Sequence, residues 1–157
     1  DPALRRAHFT EAVTATTGID EAMVAAQVTH FYAAARRDSL LGPVFAKVRD
    51  WDAHIARVTD FWSSVVLMGG RYHGSPLAVH QPFPLTEAHF SRWFALWSET
   101  AWATCPPAAA KRFIMLAQRM VTSFSRVILV SPAAPACEPS GLAGKRPLEP
   151  RRDSSPP

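Results

Sequence analysis

Apolar residues recur at intervals of three and four through most of this chain, and no alternating stretch is long enough to argue for a sheet. That period sets the fold class as all-α. From Glu21 onward, Met23, Val24, Gln27, Val28, Phe31, Tyr32 and Ala35 share one face. Asp20 is placed to cap the first turn, and Arg36-Arg37 suit the negative end of the helix. A second run, from about Trp51 to Leu67, follows a cap at Asp50 and gathers Trp51, His54, Ile55, Val58, Phe61, Trp62, Val65 and Val66 on one broad face. A third starts behind Thr86 and concentrates Phe90, Trp93, Phe94, Trp97, Ala101 and Trp102 in an aromatic stripe. The fourth follows Cys105-Pro106-Pro107 and continues from Phe113 to near Val130.

The remaining stretches connect or flank these helices. Residues 1–19 form a polar, weakly patterned lead, in which Phe9, Ala12 and Val13 suit a short helix ended by Gly18. Leu40-Leu41-Gly42-Pro43-Val44-Phe45 reads as a tight turn and a short helical piece with Leu41, Val44 and Phe45 buried. Residues 131–157 carry 7 of the 14 prolines and no aromatic residue, so they cannot bury enough surface to offset chain entropy. The expected organisation is a lead at 1–19, one helical domain at 20–130 and a disordered Pro-rich tail at 131–157.

Several function classes are disfavoured. The net charge is +4, and Arg92, Arg112, Arg119 and Arg126 recur as solvated helix faces do rather than as one nucleic-acid stripe. No apolar run reaches the ~18–20 residues that span a bilayer. The opening residues, Asp1 to Arg6, lack the apolar core of a signal peptide, so a cytoplasmic protein without a membrane partner is expected. The two cysteines, Cys105 and Cys137, form neither a CxxC nor a CxxCH, so a zinc site, a redox pair and thioether-linked haem are all unsupported. No GxGxxG is present, so a flavin or nicotinamide domain is not expected.

The run Tyr72-His73-Gly74-Ser75-Pro76-Leu77-Ala78-Val79-His80 has different chemistry. Gly69, Gly70 and Gly74 let the backbone turn, and Pro76 is suited to the first turn of a short helix. His80 then stands on a stiff turn between apolar neighbours, as an axial ligand of haem iron would. A partly exposed loop histidine is the plainer reading of the spacing alone. His54 likewise sits on an apolar face, where a satisfied core or boundary histidine is the usual case. Phe45 fits the core or an aromatic wall against a flat ligand.

Taken together, Phe31-Tyr32, Leu41-Gly42-Pro43-Val44-Phe45, Trp51-x-x-His54, Phe61-Trp62, Tyr72-x-Gly74-x-Pro76-x-x-x-His80 and Trp93 fall in the order and spacing of the group III truncated haemoglobins. The resemblance covers about residues 20–130. It implies a two-over-two helical sandwich around haem b, with His80 similar to the proximal ligand and metal-binding residue. Tyr32, His54 and Trp93 resemble the polar distal cluster. Phe45, His54, Val58 and Trp93 join His80 as the implied cofactor contacts.

These residue types suit the implied chemistry. A five-coordinate iron binds O2, CO or NO. Hydrogen bonds to charged groups are worth about 1.5–3 kcal/mol, so two donors would slow O2 release by roughly a hundredfold or more. The expected function is therefore a haem protein holding O2 and other diatomic gases tightly. NO dioxygenase or peroxidase-like chemistry would then require an external reductase. Two alternatives stay open: a haem-based sensor or redox partner, and a cofactor-free helical interaction module. Arg49, Arg57 and Arg71 fall near the implied haem rim, where a solvated-face role serves as well.

Overall fold

The computed structural model of the chain describes residues 1–76 and 84–130. Its elements are α1 (Pro2–Thr17), α2 (Glu21–Ala35), a 3-10 turn (Gly42–Phe45), α3 (Trp51–Leu67), α4 (Glu87–Thr104) and α5 (Pro107–Val130). The expectations for His80 and for the Pro-rich tail lie outside the described residues.

The caps account for the helix starts. The Asp20 and Asp50 carboxylates accept from the N–H groups of Met23 at 2.8 Å and Ala53 at 3.0 Å. Each supplies a partner to an amide that the helix leaves orphaned. At α4, His89 Nδ1 accepts the backbone N–H of Thr86 at 3.1 Å. Gly18 closes α1 with φ 76°, and its N–H returns to the Thr14 carbonyl at 2.8 Å. Met68 closes α3 with φ 56°, a left-handed conformation that an L side chain adopts at a cost.

The α2–α3 pair lies against the α4–α5 pair, with α2 packed on both α3 and α4. Ile19, Val24, Val28, Phe31, Trp62, Val66, Leu67, Trp97 and Phe113 fill the space between them and are essentially inaccessible to water. Gln27 is buried in that core. Its side-chain amide donates to the Trp97 carbonyl at 3.1 Å, and its oxygen accepts from Thr104 Oγ1 at 3.3 Å. A buried amide is tolerated when both of its ends are satisfied in this way.

Three expectations change at this level. The lead forms a 16-residue helix that rests on α3 and α5. Thr10 Oγ1 donates to the Leu67 carbonyl, and the Arg112 guanidinium lies 5.8 Å from the centre of the Phe9 ring. Trp102 is 51% exposed and does not join the stripe. It follows Trp97 by five residues, which turns it about 140° away around the helix. Leu41 is buried as expected, whereas Val44 and Phe45 are only half-buried. No helix among the described residues is long and apolar enough to cross a membrane.

Candidate functional site

The last turns of α2, the 3-10 turn and the first turns of α3 meet at one end of the helical sandwich. Tyr32, near the end of α2, is 7% exposed and forms the centre of this meeting point. The His54 ring stands edge-on to it with centroids 5.0 Å apart, and Phe45 packs edge-on at 5.4 Å. Trp51 closes the group, 5.8 Å from Tyr32, 5.5 Å from His54 and 6.0 Å from Phe45. On the outer side of Trp51, the Arg36 guanidinium lies 4.1 Å from the ring centre. Arg36 follows Tyr32 by four residues, so both project from the same side of α2.

Trp93 reaches this cluster through Phe31. The Phe31 ring is 5.1 Å from Tyr32 and 5.6 Å from Trp93. Trp93 is half-buried and stacks on Trp97 at 5.5 Å with an interplanar angle of 8°. Val58, one turn beyond His54, is half-buried against the same core. The structure thus brings Tyr32, His54 and Phe45 into direct contact and places Trp93 one ring away. The proposed iron ligand, His80, lies outside the described residues.

Burial pushes the Tyr32 phenol pKa well above its ordinary value of 10.0. Charging the oxygen there would strand an anion away from water, so the hydroxyl keeps its proton and remains a donor. Around it the walls are aromatic and aliphatic. The arrangement can present one or two hydrogen-bond donors to a small ligand in an otherwise apolar space.

Three ion pairs, made by two arginines, brace the neighbouring segments. Asp38 Oδ2 accepts from Arg92 Nε at 2.6 Å, while Asp38 Oδ1 accepts from the N–H groups of Leu40 and Leu41, each at 3.0 Å. The Leu41 amide and the Arg92 guanidinium hold the Asp38 carboxyl below the usual carboxylate range. Arg71 grips Glu21 with two guanidinium nitrogens, at 2.9 and 3.3 Å, and Asp60 through Nε at 2.9 Å. Arg71 is therefore occupied by two carboxylates on α2 and α3. Ser63 Oγ also donates to Glu21 at 2.7 Å, and Gly69 passes so close that a Cβ there would strike Ser63 Oγ.

Two further residues take part in the cluster. The sequence puts Trp51 on the apolar face of α3, and the structure makes it a wall of the cluster. The three-residue spacing to His54 is the signal that could have found it. In the sequence Arg36 is a helix-end charge, and its position over Trp51 depends on how α2 meets α3.

No family model matches the chain. Among curated proteins it is similar to the group 3 truncated haemoglobin ctb of Campylobacter jejuni, with 32% identity over 90 residues. That alignment covers 52% of this chain and 69% of the relative. Among solved structures, the group III truncated haemoglobin from Campylobacter jejuni matches with a TM-score of 0.67 at 27% identity. The match covers 70% of this chain and 91% of that one.

Proposed function

The chain belongs to the group 3 truncated haemoglobins, and from that premise we propose that it binds haem b through His80 and takes up O2 and other diatomic gases beside Tyr32, His54 and Trp93. The observation that carries the reading is the buried Tyr32 side chain, whose ring packs among His54, Phe45 and Trp51.

The residues present fit such a group. Haem is a flat apolar disc that needs aromatic and aliphatic walls, and Phe45, Val58 and Trp93 are half-buried rather than sealed into the core. Bound haem supplies an iron with a position open to a diatomic ligand. The chain supplies the rest. Tyr32 O–H donates, Trp93 Nε1–H can only donate, and the His54 ring holds Tyr32 edge-on. Each donor contributes about 1.5–3 kcal/mol where the ligand carries charge, which corresponds to roughly a tenfold to hundredfold slower release.

Such retention suits a reactive site better than oxygen delivery. It favours conversion of NO with O2 to nitrate, or peroxidase-like oxidation, supplied with electrons by an external reductase. CO and NO are expected to bind at the same position.

An absorption spectrum of the ferrous protein with and without CO tests the reading. A Soret band that shifts on adding CO, and that is lost in His80→Ala, is the expected result. A colourless protein that takes up no added haem would overturn it.

A further inference from the structure

Three indoles stack inside the core. Trp62 and Trp97 lie 4.2 Å apart at an interplanar angle of 20°, Trp93 and Trp97 5.5 Å apart at 8°, and Trp62 and Trp93 6.3 Å apart at 12°. Aromatic pairs in cores pack edge-to-face as readily as stacked, so close packing alone does not call for three near-parallel indoles. The three indoles touch one another, and their neighbours lead in two directions. Trp93, half-buried, faces the candidate pocket through Phe31. Trp62, the member of the cluster that contacts both other indoles, also touches Phe61 at 5.6 Å, and Phe61 touches the half-buried Tyr72 at 5.1 Å.

We propose that Trp93, Trp97, Trp62 and Tyr72 form an electron relay that links the gas-binding pocket to the surface and supports reduction of hydroperoxides. The proposal rests on the haem reading above. Indoles and phenols are the aromatic side chains that give up an electron most readily, and parallel overlap of their π systems favours transfer between neighbours.

The protons decide where the oxidising equivalent comes to rest. Trp97 Nε1–H is buried and donates to the Phe113 carbonyl at 3.3 Å. A backbone carbonyl does not take the proton, so Trp97 passes electrons without losing it. Tyr72 is near water and can release its phenolic proton there, which leaves a neutral phenoxyl radical.

The balance is complete with one oxidant and one reductant class. Hydrogen peroxide gains two electrons and two protons and leaves as two waters. The two electrons arrive singly along the relay. Each leaves Tyr72 together with a proton to solvent, which replaces a proton consumed in the pocket. A small phenol or ascorbate-type donor at the surface returns a hydrogen atom to Tyr72 each time.

The test uses the haem-loaded full chain treated with hydrogen peroxide in the presence of a nitroso spin trap, with adducts mapped by peptide mass spectrometry. Trapped radical is expected at Tyr72. Trp62→Phe should abolish that adduct and move oxidation to Trp93. Tyr72→Phe, which removes only a hydroxyl from a half-exposed ring, should leave a longer-lived indole radical by freeze-quench electron paramagnetic resonance, and it decides the matter if Trp62→Phe fails to fold. An equal Tyr72 adduct in Trp62→Phe, or adducts led by the exposed Trp102, would overturn the relay while the Soret band leaves the haem reading intact. A protein without a Soret band would overturn both.

Discussion

The carboxylate of Asp38 and the guanidinium of Arg92 meet at 2.6 Å, and this contact joins the turn that presents Phe45 to the helix that presents Trp93. Arg92 is the residue immediately before Trp93, and Asp38 accepts the amides that open the turn. Two walls of the candidate pocket are therefore held at a fixed separation by one charge pair.

Asp38→Asn should keep the amide contacts and lose the charge. Arg92 is 42% exposed, so solvent screens the pair and only a small loss of stability is expected by urea unfolding. The Asp38 pKa lies below its ordinary 3.8 in the folded protein. Its contribution is therefore present above that value and is lost as pH falls through the lower, folded pKa. The gap between the two proteins should close in that acid range. A gap that stays constant down to strong acid would remove the ion pair from the account.

Arg71→Ala should release Glu21 and Asp60 together. Arg71 hydrogen bonding is the main cause that lowers the Glu21 pKa below 4.5. Glu21 thus stabilises the fold above that pH, and the effect disappears as pH falls through its folded value. The partners are about half-exposed, so a loss of about 1 kcal/mol or less is expected, shrinking further in high salt. A loss that does not respond to salt would point to packing instead of charge.

Met68→Gly should stabilise the protein. Among the described residues, Met68 is the one non-glycine residue with positive φ, at 56°, and its side chain is exposed. Relief of the left-handed cost outweighs the added chain entropy of glycine by about 0.5–1 kcal/mol. Chemical denaturation would show a higher midpoint at an unchanged slope. A lower midpoint would mean that the thioether packs better than its exposure implies.

Tyr32→Phe should leave the ring contacts with His54 and Phe45 in place and remove one donor. On the proposed function, O2 dissociation should speed up by roughly tenfold to a hundredfold, with a smaller effect on CO. Stopped-flow displacement of O2 by CO measures it. An unaltered rate would exclude the Tyr32 hydroxyl from ligand binding.

The helices were legible because their signals are local. Asp20, Asp50 and Thr86 mark helix starts, and the apolar period located α3 from Trp51 to Leu67. The docking of α1 was not legible. Val13 is its one buried residue, and its contacts through Thr10 and Phe9 reach Leu67 and Arg112, far along the chain. The choice for Phe45 between core and ligand wall stays open in the sequence for a related reason. The hydrophobic pattern says that a residue avoids water, but not whether the protein or a ligand covers it. Tyr32 and His54 could be read as partners through family resemblance, whereas the ion pair of Asp38 with Arg92 spans 54 positions and leaves no local trace.

The amide of Gln27 carries a consequence for motion. It is bonded at both ends to α4, so α2 cannot shift register along that helix without leaving the buried Gln27 amide unpartnered. The backbone beneath Tyr32 is in effect bolted down. Breathing that admits a gas molecule has to come from rotation of rings such as Trp51 and His54, on a side-chain timescale, rather than from sliding of whole helices.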